Sequence, residues 1–198
     1  MKIRIGKKTA FLGLCLFLFA SACAAPIASI SPYDRDVEKV ANLIAGETQD
    51  QNPLELFKLS RQILTLSRYY SLDPLLILAI IKVESGFKPT ARSNVGAVGL
   101  MQVMPIVMRE VGSEISVEKR EELLDPYKNL HLGIYYFTYL LDKYRNNLQH
   151  ALVAYNLGPS ALDQHISHRE AVSLDYYFKV MQWYKKFQKK MQTDPAVT

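Results

Sequence analysis

Pro74-Leu75-Leu76-Ile77-Leu78-Ala79-Ile80-Ile81-Lys82-Val83-Glu84-Ser85-Gly86 reads as one helix with defined ends. Asp73 precedes it as an N-cap and Pro74 occupies the first helical position, where a missing N–H costs nothing. Gly86 supplies the stop. Helical spacing puts Glu84 on one face with Ile77, Ile80 and Ile81. A carboxylate on an apolar stripe is uncommon unless it is paired or its protonation is tuned. Partial burial and the negative end of the helix dipole both disfavour the anion. Both therefore raise the pKa, as a general acid acting near neutral pH requires. The bland alternative is an exposed Glu in a frayed last turn.

Working outward, every segment after residue 34 with clear periodicity is helical. Asp36–Gln49 and Leu54–Tyr70 are amphipathic before this helix. After it, Gly86–Gly99 reads as a loop rich in Gly, Pro and Asn. A helix is expected from about Leu100, with Pro105 inside its first turns. Asp125-Pro126 starts another, through Tyr127–Asn147, whose Tyr135, Tyr136, Phe137 and Tyr139 read as core. A short helix at about His150–Asn156 ends at Gly158-Pro159, and a long one runs from about Ser173 to Met191. No alternating strand pattern of convincing length and no repeat is present. The expectation is an all-α domain of seven to nine helices of uneven length, with room for a small β element near the loop after Glu84.

The chain has 198 residues, 24 basic and 19 acidic. Four of the basic ones, Lys2, Arg4, Lys7 and Lys8, precede the apolar run Ala10–Ala20. Without residues 1–22 the balance is +1, so charge gives no argument for nucleic acid. The lysines at 185, 186, 189 and 190 read as a solvated helix face. Basic residues, an apolar run and small residues together describe an export signal. Ala20-Ser21-Ala22-Cys23 resembles a bacterial lipobox, with cleavage before Cys23 and acylation of that cysteine. Ala20-Ser21-Ala22 and Ala22-Cys23-Ala24 also fit an ordinary A-x-A site, and an uncleaved anchor is a third option, although the run is short for a span of about 20 residues. The expected layout is a signal over 1–22, a tether over 23–34 and one domain over 35–198. The only other cysteine is Cys15, inside the signal, so no disulfide framework is expected. His131, His150, His165 and His168 form no metal-ligand motif, no phosphate loop or Ser-His-Asp pattern occurs, and no cofactor is expected.

The stretch from Glu84-Ser85 through Ala91-Arg92-Ser93, Gly96-Ala97-Val98-Gly99-Leu100-Met101-Gln102 and Met104-Pro105 resembles the signature of the lysozyme-like lytic transglycosylases of the soluble-lytic-transglycosylase type. That family carries E-S, A-x-S, G-A-x-G-L-M-Q and M-P in this order. Asp125-Pro126-Tyr127-Lys128-Asn129 and Gly133 match its D-P-x-x-N segment and following Gly. Ala154-Tyr155-Asn156-Leu157-Gly158 matches A-Y-N-x-G, and Tyr176-Tyr177-Phe178-Lys179-Val180 matches Y-V-x-K-V. The resemblance covers about Leu64 to Tyr184. One departure is visible: Val172-Ser173 stands where the family often has Glu-Thr, which leaves Tyr177 as a rival to Tyr176.

The resemblance implies a helical lysozyme-like fold and cleavage of the MurNAc-β-1,4-GlcNAc bond of peptidoglycan strands. It implies a single catalytic Glu, Glu84, which donates a proton and then takes one from the 6-hydroxyl of the muramic acid ring. That hydroxyl closes a 1,6-anhydro ring without water, an intramolecular attack with a large gain in effective concentration. Ser85, Met101, Gln102, Tyr155, Asn156 and Tyr176 are implied as substrate-binding positions. For Ser85 the alternative is helix capping, for Met101 core packing, and for Asn156 a helix cap. A hydrolase on the same fold and a non-catalytic glycan-binding protein are the rival readings. The implied location is periplasmic, held to the outer membrane through Cys23 or free in the periplasm. No protein partner is legible.

Overall fold

A computed structural model describes residues 31–49 and 52–193. Among them are eight α-helices: α1 (Pro32–Ala45), α2 (Pro53–Tyr69), α3 (Pro74–Glu84), α4 (Pro105–Val111), α5 (Pro126–Lys143), α6 (Leu148–Leu157), α7 (Pro159–His168) and α8 (Asp175–Thr193). Short 3-10 turns at Gly112–Ile115 and Arg120–Leu124 join α4 to α5. The all-α expectation holds. The β element shrinks to two isolated bridges, Arg92 with Val98 and Val98 with Val103.

Proline at the first helical position organises the chain. Six helices open on one: Pro32, Pro53, Pro74, Pro105, Pro126 and Pro159. The ring presets φ, and it biases the preceding residue away from the helical region. Where that residue is polar it also caps. Asp73 accepts from the Leu75 N–H at 2.8 Å, and Asp125 accepts from Tyr127 and Lys128 at 2.8 and 3.0 Å.

This rule corrects two expectations. The helix placed from Leu100 begins at Pro105, because Met104 is extended (φ −78°, ψ 144°). Gly158-Pro159 ends α6 but also starts α7, a helix missing from the sequence reading, with Gly158 at φ 93° reversing the chain between them. Further, α1 takes in Pro32–Asp34, the end of the expected tether. The signal at 1–22, Cys23 and the tether up to residue 30 lie outside the described residues.

Helix α3 is the core helix. Leu76 to Ile81 are buried without interruption. A helix buried on every side has no polar face to signal its orientation, so only its ends carry chemistry. It packs most extensively on α8. Among the α5 aromatics, Tyr136 and Phe137 are core as expected, but Tyr139 is 45% exposed.

Candidate active site

Glu84 is the last residue of α3, with Ser85 as its C-cap. Gly86 (φ 59°) and Phe87 (φ 66°) then turn the chain sharply. Phe87 is buried, and burial of its ring offsets the strain of a left-handed non-glycine residue. Loop 86–104 folds back over the helix end. Ser85 Oγ donates to the Leu100 carbonyl at 2.7 Å and also faces the Ile81 carbonyl at 3.3 Å. Gln102 Nε2 donates to the carbonyls of Gly99 (2.9 Å) and Ala91 (3.2 Å). Both side chains, expected to meet substrate, thus spend donors on holding the loop.

Asn129 is the strut beneath that loop. It is fully buried on α5. Its Oδ1 accepts from the Met101 N–H at 2.9 Å, and its Nδ2 donates to the Val98 and Leu123 carbonyls at 2.8 and 3.0 Å. The strut explains Gly99. A Cβ there would collide with the Asn129 side chain and lie 2.8 Å from the Leu123 carbonyl, and φ is +83°. Met101 is fully buried, and it presses on Gly133 so closely that a Cβ there would lie 2.6 Å from its sulfur. Its side chain therefore belongs to the core, the alternative left open for it. Its carbonyl accepts from the Tyr155 hydroxyl at 2.8 Å.

The carboxyl group of Glu84 meets Tyr176 from the first turn of α8. The Tyr176 hydroxyl donates to Glu84 Oε1 at 2.5 Å, and Tyr176 is 8% exposed. Its neighbour Tyr177 packs edge-on against Phe178. Burial pushes Glu84 up to about 7, and the Tyr176 hydrogen bond opposes that rise. The phenols of Tyr176 and Tyr155 are held well above their ordinary range, by burial first and by the Glu84 charge second. They remain neutral donors at any pH where the carboxyl titrates.

Glu84 and Tyr176 lie in the wall of a cleft of about 560 Å³. Asn156 joins them in that wall. Sequence reasoning did not place His165, Asp175 and Lys179 in that wall, nor Val172 and Ser173, the pair that replaces Glu-Thr. Lys179 lies one turn beyond Tyr176, a spacing that could have flagged it. Asp175 brings a second carboxylate into the cleft, which no local motif announced. No group of three His, Cys, Asp or Glu among the described residues is placed to hold a metal ion.

The raised Glu84 pKa has a sign. An unfolded Glu ionises near 4.5, the folded one near 7. Between these values the native state keeps a proton that the unfolded state loses. Its contribution to stability is complete below 4.5 and is lost as pH rises through 7. The expected loss is on the order of 2–3 kcal/mol. Denaturant melts from pH 4.5 to 8, compared with Glu84→Gln to cancel other groups, check this. Parallel curves for the two proteins would refute it.

The profile of the family described as Transglycosylase SLT domain matches residues 62–178. Among relatives, the membrane-bound lytic murein transglycosylase C of Glaesserella parasuis is 36% identical over 111 residues, 49% of this chain and 30% of that protein. The soluble lytic murein transglycosylase of Escherichia coli is 36% identical over 85 residues, 41% of this chain and 13% of that one. The chain thus spans under a third of the length of these relatives. Among solved structures, the lytic transglycosylase Slt of Pseudomonas aeruginosa, an inactive mutant, aligns over 80% of this chain and 29% of its own with 25% identity and a TM-score of 0.52. The 70 kDa soluble lytic transglycosylase of Escherichia coli aligns over 82% and 31% at 23% identity with a TM-score of 0.55, a likeness of fold. A matched profile over more than half the chain, on a helical frame that sets Glu84 against Tyr176, places this protein in the transglycosylase SLT domain family.

Proposed function

We propose that the chain is a peptidoglycan lytic transglycosylase, acting on the MurNAc-β-1,4-GlcNAc bond with Glu84 as its one acid and base. The observation that carries this is the buried Glu84 carboxyl at about 7, bonded to Tyr176 in a cleft wall. A carboxyl poised there is protonated often enough to donate and basic enough, once ionised, to accept. Its proton goes to the glycosidic oxygen as the C1–O bond breaks. The carboxylate then takes the proton of the C6 hydroxyl while that oxygen bonds C1, closing the 1,6-anhydro ring. Tyr176 stabilises the anionic stage with its hydrogen bond. Tyr155 acts behind it by holding the Met101 carbonyl. Asn156 offers an amide to the N-acetyl and hydroxyl groups of the sugar. Ser85 and Gln102 serve substrate by shaping the loop.

Asp175 supports a second reading. A carboxylate in the same cleft could activate a water and make the reaction hydrolytic. Mass spectrometry of muropeptides released from purified sacculi separates the two. Anhydro ends support the transglycosylase, and reducing ends the hydrolase. Release of neither refutes both.

The same proposal includes export to the periplasm and anchoring to the outer membrane through an acylated Cys23. The apolar run after Lys8 and the sequence Ala20-Ser21-Ala22-Cys23 support it. Cys23→Ser should move the protein out of the membrane fraction or leave the precursor uncut. Wild-type protein that is processed, unlipidated and soluble would defeat it.

A further inference from the structure

Two of the four C-terminal lysines, with side chains 47% and 39% exposed, are ion-paired as well as solvated. Lys186 and Lys190 on α8 converge with Lys82 of α3 on one carboxylate, Glu47, just past the end of α1. The Nζ–O distances are 3.0, 2.7 and 3.1 Å. The Glu47 side chain is 8% exposed and that of Lys82 18%. Lys82 Nζ also donates to the Glu47 backbone carbonyl at 2.9 Å, where the C-terminal end of α1 favours a cation. Trp183 of α8 completes the cluster, with Lys186 Nζ 3.9 Å and Lys82 Nζ 4.8 Å from its ring centroid. Burial opposes ionisation of Glu47, but the three lysine hydrogen bonds prevail and hold it down at about 2. Glu47 therefore stays ionised near neutral pH.

Its position matters. Lys82 stands two residues before Glu84 on α3. Trp183 stands seven residues after Tyr176 on α8, two helical turns along one face. The two helices are thus tied at the cleft by Glu84 and Tyr176 and at the start of α3 by the Tyr184 hydroxyl on Asp73 (2.5 Å), while Glu47 joins Lys82 of α3 to Lys186 and Lys190 farther along α8. Glu47, Trp183, Lys186 and Lys190 all lie outside the residues matched by the family profile.

We propose that Glu47 is a positioning residue for the acid/base site: it clamps α8 onto α3 so that the Tyr176 hydroxyl meets Glu84. Without its charge, three ammonium groups crowd one partly buried spot and repel. Relaxing that repulsion moves α8 away from α3 and strains the two short bonds between the helices, Tyr184 on Asp73 and, at the cleft, Tyr176 on Glu84. The proposal concerns the Glu84–Tyr176 geometry and stands whichever glycan chemistry the site performs.

The test reads the titration of Glu84 directly, by carbon-13 carboxyl NMR on the folded full chain, with kcat and KM on glycan strands in parallel. Around Glu84 the relevant groups are Tyr176 and Tyr155, with His165, Asp175 and Lys179 in the cleft wall. None of them is altered by the substitution. Glu47→Gln should raise the Glu84 pKa, because the Tyr176 bond that lowers it is weakened. It should lower kcat about tenfold, with KM nearly unchanged. Glu47→Asp, which keeps the charge, should recover most of both. In a Tyr176→Phe background, Glu47→Gln should shift the titration no further, since the bond it acts through is gone. A folded Glu47→Gln protein with wild-type Glu84 titration overturns the proposal, as does a shift of equal size with and without Tyr176. If Glu47→Gln does not fold, Lys190→Met, which removes one arm of the clamp, carries the same readouts with smaller effects. Absence of any glycan cleavage by the wild type would count against the enzymatic reading alone, because the NMR titration does not depend on it.

Discussion

Glu84→Gln is expected to lower the rate of glycan-strand cleavage by at least about a hundredfold, the lower range for loss of a general acid. The amide keeps the size of the side chain and can still accept from the Tyr176 hydroxyl at the Oε1 position. It has no proton to deliver to a leaving oxygen. The fold should survive, and at pH 8 the variant should be more stable than wild type. Its neutral amide avoids the cost of a buried carboxylate, which raises the Glu84 pKa in the first place. The two effects have opposite signs, which makes the pair diagnostic. Turbidity clearance of purified sacculi measures the first and thermal melting the second. Clearance close to the wild-type rate by a folded variant would remove Glu84 from the chemistry.

The second large effect is on stability and comes from a residue that touches no substrate. Asn129→Ala removes one acceptor and two donors at the base of loop 86–104. It leaves the Met101 N–H and the Val98 and Leu123 carbonyls short of a partner in a fully buried place. Unpaired buried groups cost about 1–3 kcal/mol each, less where water can enter. The expected loss is about 3 kcal/mol, or roughly 6–12 °C in Tm for a domain of this size. Activity should fall as well, because Met101 anchors the Tyr155 hydroxyl. Calorimetry decides it, and a Tm within about 2 °C of wild type would show that the strut carries little.

Gly99→Ala acts on the same strut from the other side. The added Cβ collides with the Asn129 amide, and the left-handed backbone is strained besides. That single packing contact accounts for two motif positions thirty residues apart.

The sequence by itself determined the helical class, most of the helices and the placement of Glu84 on an apolar helix end. Those features are written in short windows: a 3.6-residue period, an Asp-Pro cap, a glycine stop. Even the misplaced helix start at Pro105 and the missed one at Pro159 obey the rule that set Pro74 and Pro126 correctly. What the tertiary structure alone decided is which groups meet. Tyr176 reaches Glu84 across 92 positions of chain, Ser85 and Gln102 donate to the loop backbone, Asp175 and Lys179 enter the cleft wall, and two lysines read as a solvated face close on Glu47. The reason is physical. A local pattern fixes which side of a helix is apolar, but the angle and register at which α8 crosses α3 come from side chains packed along their whole length. Only that crossing brings the phenol to the carboxylate.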